Sequence, residues 1–129
     1  MATIHKTLPL AAPAAAVWDA MRDYGAVHER VAQGFVTATR LEEGARVVTF
    51  ANGLVAREVL VSVDDDARRL VYSAADGRLA HHNGAFQVSD EGGGCRVSWT
   101  ADLLPDEMAP MVSAMMDDGV AAMRRTFED

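Results

Sequence analysis

Short clusters of turn-forming residues punctuate this chain at intervals of about ten residues, a spacing typical of hairpin-connected strands. Between the clusters lie short runs rich in Val, Thr, Leu and aromatic residues, so the pattern predicts an antiparallel sheet. Asn52-Gly53 is the strongest hairpin signal and favours a type I′ turn, in which both central residues have positive φ. The turn clusters are Glu42-Glu43-Gly44, Asn52-Gly53, Asp64-Asp65-Asp66, Ala75-Asp76-Gly77 and Glu91-Gly92-Gly93-Gly94.

The first third of the chain predicts one strand followed by helix. Residues 2–9 form the first predicted strand. Pro13 suits the first turn of a helix because its missing N–H would be unpaired there in any case, and this helix extends to about Arg22. Residues 24–32 form a loop or a second short helix. The remaining predicted strands cover residues 33–42, 45–52, 54–63, 68–75, 80–89 and 95–103.

The C-terminal segment, residues 106–128, predicts one long amphipathic helix with an apolar residue every third or fourth position. Five of the seven methionines lie in this segment, and methionine suits surfaces that accept varied apolar shapes. We expect Met111, Met115, Gly119 and Met123 on the buried side. The whole predicted face consists of Met108, Met111, Val112, Met115, Gly119, Ala122, Met123 and Phe127.

These elements together predict an α+β fold, in which a curved seven-stranded antiparallel sheet holds the C-terminal helix against its concave face. One helix cannot fill the concavity of seven strands, so we expect an internal cavity of roughly 300–1,000 Å³ with an opening near residues 24–34. We expect Tyr72, Phe86, Trp99, Met111 and Met115 to bound it.

Composition restricts the classes of function. The 129 residues fit one domain, 1–129; half are hydrophobic, 24% are charged, and the formal net charge is -7. This charge, without any basic patch, argues against nucleic acid and anionic membranes as partners. A single cysteine excludes an internal disulfide, and no apolar run is long enough to cross a bilayer. With no signal peptide in the sequence, we expect a cytoplasmic protein, and one Lys against eleven Arg suggests a bacterial source.

Several motifs, taken in order, resemble the START-like (SRPBCC, helix-grip) superfamily and most of all its polyketide cyclase/dehydrase branch. The resemblance covers essentially the whole chain. It implies a helix-grip fold with a cavity for a hydrophobic or amphipathic small molecule, in a superfamily that includes lipid-transfer domains, plant hormone receptors, pollen allergens and aromatase/cyclases. The motifs are residues 13–18 (PAAAVW), Arg57-Glu58, residues 63–66 (VDDD), residues 69–73 (RLVYS), Val97-Ser98-Trp99, Leu104-Pro105 and Gly119.

Glu58 admits two interpretations. By hydrophobic pattern, the strand turns Val55, Val59, Val61 and Val63 inward and leaves Glu58 outside, paired with an arginine. The resemblance to the hormone receptors implies the opposite, because the matching glutamate there points into the cavity. A β-bulge would reconcile the two. If Glu58 lies inside, it is a candidate acid or base, or an acceptor for a ligand hydrogen bond.

Tyr72 alternates with Leu70 and Ala74 and is expected to face inward, where its hydroxyl needs a partner. Trp99 is expected in the core or on the cavity wall, and simple core packing is the favoured interpretation. His82, which is in phase with Phe86, is expected to point inward, either as a hydrogen-bonded histidine or as a site residue.

The remaining candidates are weaker. His28, beside Glu29 and Arg30, is either a polar group near the cavity opening or part of a solvated surface. No ligand spacing typical of zinc is present, so we expect neither a metal nor a cofactor.

The sequence supports two main functions. The first is binding of a small hydrophobic or amphipathic molecule. The alternative is a cyclase or dehydratase acting on a polyketide-like substrate in the same cavity, with Glu58 or His82 as base and Tyr72 stabilising an enolate. The expected ligand-binding residues are Glu58, Tyr72, Phe86, Trp99, Met111 and Met115, and a homodimer remains open. A regulatory protein with a residual cavity is a third hypothesis.

Overall fold

The structure, a computed structural model, describes residues 1–75 and 77–128. Within this part of the chain, seven strands form one antiparallel sheet in the order β1-β7-β6-β5-β4-β3-β2. The strands are β1 (Ala2–Leu10), β2 (Val36–Glu42), β3 (Ala45–Phe50), β4 (Val55–Asp64), β5 (Arg69–Ser73), β6 (His81–Glu91) and β7 (Gly94–Leu104). The predicted seven-stranded sheet is confirmed.

The helices are α1 (Ala14–Arg22), the four-residue α2 (Val27–Arg30) and α3 (Ala109–Glu128), with 3-10 turns at Tyr24–Ala26 and Asp106–Met108. Pro13 is the residue immediately before α1, and its carbonyl accepts bonds from the N–H groups of Ala16 and Val17. Residues 24–32 therefore contain the second short helix, one of the two predicted alternatives. The cis peptide bond Leu104-Pro105 separates β7 from the turn that leads into α3.

Strand β7 is the clearest example of sequence determining strand orientation. Its residues alternate between buried and partly exposed along the whole strand, with Cys95, Val97, Trp99, Ala101 and Leu103 buried. Paired on one side with β1 and on the other with β6, it forms the centre of the longest ladders of the sheet. The period-2 pattern of a half-buried strand explains this alternation.

The hairpin at Asn52-Gly53 differs from the prediction. The Phe50 N–H donates to the Leu54 carbonyl over 2.8 Å, so the loop contains the three residues 51–53. Gly53 has a φ of 89°, whereas Asn52 does not have a positive φ. The predicted type I′ turn is therefore wrong here. This geometry matches a three-residue loop with glycine in the left-handed position, and Asn52 Oδ1 supports it by accepting a hydrogen bond from the Leu54 N–H.

A β-bulge lies in β4, where the register against β5 shifts between Leu60 and Ser62. Val55 and Val59, which precede the bulge, and Val61, the extra residue within it, are 63%, 39% and 55% exposed. The interpretation that these valines point inward is wrong. After the bulge the alternation is reversed, and Val63 lies opposite the buried Leu70 but is itself 38% exposed.

Helix α3 packs along the concave face, where Val112, Met116, Gly119, Ala122 and Met123 are buried. The prediction for Met111 is wrong, since it is 36% exposed at the first turns of the helix. Met115 is only half-buried, and Met116, which the predicted face omitted, takes the interior position. None of the helices in residues 1–75 and 77–128 is long and apolar enough to cross a membrane.

Gly119 permits the closest approach of α3 to the sheet. A Cβ added at this position would lie 2.8 Å from Trp99 Cζ3 and 3.3 Å from Phe35 Cε2. The backbone of the helix therefore packs directly against the indole of Trp99. At the edge of the same interface, Lys6 Nζ on β1 lies 2.9 Å from Asp117 Oδ1 and donates to Ser113 Oγ.

Candidate functional site

A cavity of about 300 Å³ lies between α3 and the concave face of the sheet. Its volume falls at the lower end of the range typical of small-molecule sites. Most of its wall is apolar, and it includes all the residues predicted to bound it, namely Tyr72, Phe86, Trp99, Met111 and Met115. The polar side chains in the wall are Arg46, Glu58, Tyr72, Arg78, His82 and Trp99.

The exposed residues of the wall mark where the cavity opens. Leu54, Val55 and Met111 are 46%, 63% and 36% exposed, and Arg78 is also exposed. These residues belong to the β3–β4 hairpin, the β5–β6 connection and the start of α3. The expectation of an opening near residues 24–34 is wrong. The wall residues of that segment, Val27, Val31 and Ala32, are buried because α2 packs against the sheet there.

Three aromatic side chains form a continuous stack across β5, β6 and β7. The ring centroids of Tyr72 and Phe86 are 6.0 Å apart, those of Phe86 and Trp99 are 4.7 Å apart, and the interplanar angles are 20° and 23°. Trp99 Nε1 donates a hydrogen bond of 3.1 Å to the Tyr72 hydroxyl. Trp99 therefore lies on the cavity wall as well as in the core, and its indole N–H is the partner that the buried Tyr72 hydroxyl needs.

Gly84 is required for the position of Tyr72. A Cβ at Gly84 would overlap the Tyr72 ring and would lie 2.6 Å from the hydroxyl oxygen. The ring lies flat over the backbone of β6, which only a residue without a side chain permits.

Glu58 points into the cavity and is 8% exposed. Its Oε1 accepts a 2.8 Å hydrogen bond from Nε of Arg46, which is 5% exposed and lies directly opposite on β3. Arg57, the residue before Glu58 in the sequence, pairs with Glu42 on the outer face. Two buried charges are tolerated only when each compensates the other, so the pair acts as one neutral unit.

Tyr24 supports this ion pair from the loop after α1. Its ring lies 3.9 Å from Cζ of Arg46, a cation–π contact, and its hydroxyl donates to the Glu58 carbonyl over 2.9 Å. The Tyr24 carbonyl accepts a bond from Arg46 Nη1. Burial raises the pKa of Tyr24 well above its usual value, with Arg46 opposing this effect. Tyr24 is therefore a neutral hydrogen-bonding residue.

His82 is held as a neutral ring. Its Nδ1 accepts a 3.2 Å hydrogen bond from the backbone N–H of Ala74. Burial lowers the pKa of His82, although the charge of Glu58 acts in the opposite direction. A neutral histidine that accepts at Nδ1 carries its proton at Nε2, so it offers the cavity a donor rather than a base.

Tyr72 is also neutral, because burial and then the charge of Glu58 raise its pKa far above the usual value. Since its oxygen accepts the bond from Trp99, its own proton remains to donate. The cavity wall thus combines one carboxylate acceptor with the donors of His82 and Tyr72. The arrangement is suited to holding a polar group of a ligand.

The other candidates lie outside the cavity wall. His28 Nδ1 lies 3.0 Å from Thr39 Oγ1, and Arg30 pairs with Asp19 and Asp23 on the surface. Among residues 1–75 and 77–128, no three His, Cys, Asp or Glu side chains lie together in a group that could hold a metal ion.

Comparison with known families agrees with this architecture. The family model described as polyketide cyclase / dehydrase and lipid transport matches residues 1–128. The chain belongs to this family. Proteins with curated descriptions gave no match to the sequence.

Solved structures extend the comparison. The NMR structure of a Thermobifida fusca protein is 31% identical in sequence and has a TM-score of 0.75. The alignment covers 97% of this chain and 89% of the Thermobifida fusca chain. XoxI from Bacillus cereus is 18% identical and has a TM-score of 0.87, and the alignment covers 100% of this chain and 97% of XoxI. Norcoclaurine synthase from Thalictrum flavum is 18% identical and has a TM-score of 0.71, and the alignment covers 93% of this chain and 84% of the synthase. The last two show likeness of fold.

Sequence reasoning missed Arg46 and Tyr24 in this member of the polyketide cyclase / dehydrase and lipid transport family. Arg46 follows Ala45 and precedes two valines, a pattern that gives no sign of a buried arginine. The available signal was strand register. Counting outward from a three-residue loop at 51–53 pairs Arg46 with Glu58, whereas a two-residue turn at 52–53 pairs Glu58 with Val47.

Proposed function

We propose that this protein binds a small, mostly apolar molecule in the cavity between α3 and the sheet. The observation that carries the proposal is a cavity of about 300 Å³ whose apolar wall is interrupted by hydrogen-bonding groups at a few defined positions. Small-molecule sites have this composition: apolar contacts supply affinity and a few polar groups fix orientation. Membership of a family whose description includes lipid transport supports the same function.

The polar groups favour binding over base catalysis. A base that removes a proton from a substrate carbon needs an available lone pair. Of the two predicted bases, His82 uses its Nδ1 lone pair to accept from the Ala74 N–H and therefore carries its proton at Nε2. Glu58 uses Oε1 to accept from Arg46, so within the described residues only Oε2 of the two candidate bases keeps an available lone pair. The cyclase or dehydratase alternative therefore has less support from this geometry.

A pair of matched substitutions on β4 tests the proposal. Ala56 lines the cavity, so Ala56→Phe should fill part of it. Val59 lies on the outer face of the same strand, so Val59→Phe adds comparable bulk outside. The probe is N-phenyl-1-naphthylamine, a neutral dye whose fluorescence rises in apolar surroundings.

We expect saturable dye binding to the wild-type protein, at least about tenfold weaker binding to Ala56→Phe, and unchanged binding to Val59→Phe. Circular dichroism and thermal unfolding confirm that both variants are folded. Native mass spectrometry of the purified protein provides an independent search for a retained ligand. Equal affinity of all three folded proteins for the dye, or no binding to any of them, would contradict the proposal.

A further inference from the structure

The balance of charge in the cavity wall restricts the charge that a bound ligand can carry. Arg46 and Glu58 contribute one positive and one negative charge and compensate each other over 2.8 Å. His82 and Tyr72 are neutral at neutral pH, and Arg78, the remaining charged residue of the wall, is exposed at the opening. Within the part of the chain that the structure describes, the inner cavity therefore has no uncompensated charge.

A charged ligand group would lose its hydration in this cavity without gaining a counter-ion. The cost of burying an unpaired charge is far larger than that of burying a neutral polar group. A ligand carboxylate would also meet the like charge of Glu58, and an ammonium group would meet that of Arg46. The inner wall therefore selects for ligands that are neutral.

Hydrogen bonding restricts the ligand further. Glu58 Oε1 accepts from Arg46, and within the described residues no donor bonds to Oε2. A carboxylate can accept several hydrogen bonds, so this oxygen is available to a donor from the ligand. His82 and Tyr72 line the same cavity, with ring centroids 5.7 Å apart, and each has a proton to donate.

A hydroxyl group satisfies this arrangement because it donates one hydrogen bond and accepts others. The ligand hydroxyl would donate a hydrogen bond to the Glu58 carboxylate. Because the acceptor is charged, this bond is about twice as strong as one between neutral groups. The hydroxyl oxygen would accept from His82 or Tyr72. An ether or a ketone accepts only, and would leave the carboxylate oxygen without a donor.

The shape of the wall indicates the ligand body. The stacked rings of Tyr72, Phe86 and Trp99 present a flat surface on the sheet side. Met111, Met115 and Met116 line the helix side, and methionine sulfur packs favourably against aromatic rings. A planar ring system fits between a flat aromatic wall and adaptable thioether side chains.

From these observations we infer that the cavity is selective for neutral ring compounds carrying a hydroxyl group, which donates a hydrogen bond to Glu58. Arg46 determines the specificity by compensating that carboxylate without occupying both of its oxygens. The inference rests on the proposed binding function and names the class of ligand for the same site.

A set of two-ring probes that differ in one substituent tests the inference. The probes are naphthalene, 2-naphthol, 2-methoxynaphthalene, 2-naphthoate and 2-naphthylmethylammonium, with binding measured by calorimetry at neutral pH. We expect 2-naphthol to bind at least about tenfold more tightly than 2-methoxynaphthalene and naphthalene. The two charged probes should bind more weakly than naphthalene.

Two double variants provide the controls. Arg46→Met/Glu58→Gln removes both inner charges and should reduce the preference for 2-naphthol over 2-methoxynaphthalene to about twofold or less, because the charge-assisted bond is lost. Arg57→Met/Glu42→Gln removes an ion pair of the same 2.8 Å length between β4 and β2 on the outer face of the sheet and should keep the preference.

The outcomes separate this inference from the proposed function. If naphthalene and 2-methoxynaphthalene bind as tightly as 2-naphthol, selection for a hydroxyl is wrong while the binding function stands. Tighter binding of either charged probe than of 2-naphthol also overturns the inference. If no probe binds and the dye also fails to bind, the proposed function itself falls. An unchanged preference in the folded Arg46→Met/Glu58→Gln variant shows that Glu58 is not the acceptor.

Discussion

Arg46 Nε donates a hydrogen bond to Glu58 Oε1 over 2.8 Å, and the two side chains are only 6% and 11% exposed. The pair joins β3 to β4 on the inner face of the sheet, where the neighbouring side chains are mostly apolar. Each partner is tolerated there because the other compensates its charge, so the two residues depend on each other for stability.

Removing one partner of this pair should be strongly destabilising. We expect Arg46→Met to lower the free energy of unfolding by about 3–5 kcal/mol, because it leaves the Glu58 carboxylate buried and unpaired. Arg46→Met/Glu58→Met should recover much of this loss, since no charge is then buried. Urea unfolding measures both effects. Arg57→Met on the outer face is the control and should have little effect; an equal loss in the two single variants would contradict the prediction.

Gly84→Ala should destabilise the protein by about 1–3 kcal/mol, because its Cβ would overlap the Tyr72 ring and force the ring to move. Replacing Tyr72 by Leu removes the ring atoms that cause the overlap. The cost of Gly84→Ala should therefore be smaller in the Tyr72→Leu background, a coupling that a double-mutant cycle of urea unfolding measures. Strictly additive costs would show that the overlap does not determine stability.

Two methionines on α3 should respond differently to the same substitution. Met116 is 3% exposed, so Met116→Asp buries an unpaired carboxylate and should destabilise the protein by several kcal/mol, or prevent folding. Met111 is 36% exposed at the opening, where Met111→Asp keeps contact with water and should be tolerated. Thermal unfolding followed by circular dichroism compares them. Similar melting temperatures for the two variants would contradict the assigned orientation of α3.

The stability of the protein should depend on pH through His82. Burial lowers the pKa of His82 in the folded state, so below about pH 6.5 the unfolded chain binds a proton more readily than the folded chain does. The contribution of neutral His82 to the free energy of unfolding is therefore fully present above about pH 6.5. It is lost as the pH falls from the pKa of His82 in the unfolded chain towards its lower pKa in the folded protein. His82→Gln removes it.

Urea unfolding at pH 7.5 and pH 5.5 measures this contribution. The wild-type protein should lose more stability between the two conditions than the His82→Gln variant, with the carboxylates common to both proteins cancelling in the difference. Identical losses in the two proteins would contradict a buried, neutral His82.

Much of the fold could be predicted from local sequence, because local patterns determine it. The regular turn clusters predicted seven strands, and the methionine-rich period of residues 106–128 predicted the long helix. Gly119 and Met123 were expected on the buried side of this helix, and both are buried. The resemblance to the helix-grip superfamily carried the same architecture and is confirmed by the family match over residues 1–128.

The orientation along β4 shows where pattern reasoning failed. Val55, Val59 and Val61 match an inward apolar face but lie outside, and Glu58, a charged residue, lies inside. Hydrophobic alternation considers the hydrophobicity of each residue separately. It therefore does not include the stabilisation that a buried charge gains from an oppositely charged partner. The resemblance, rather than the pattern, predicted the inward direction of Glu58.

The sequence by itself determined the elements, their order and the aromatic and methionine composition of the cavity wall, since these follow from spacing and residue type. Only the tertiary structure decided the partner of Glu58. A loop of three residues instead of two at 51–53 brings Arg46 rather than Val47 opposite it. The bulge after Leu60 and the rotation of α3 that buries Met116 are decided in the same way. Each of these features depends on packing and strand pairing between segments that are distant in the sequence. A one-residue change in register would turn every side chain of a strand to the opposite face, and local sequence patterns do not determine the register.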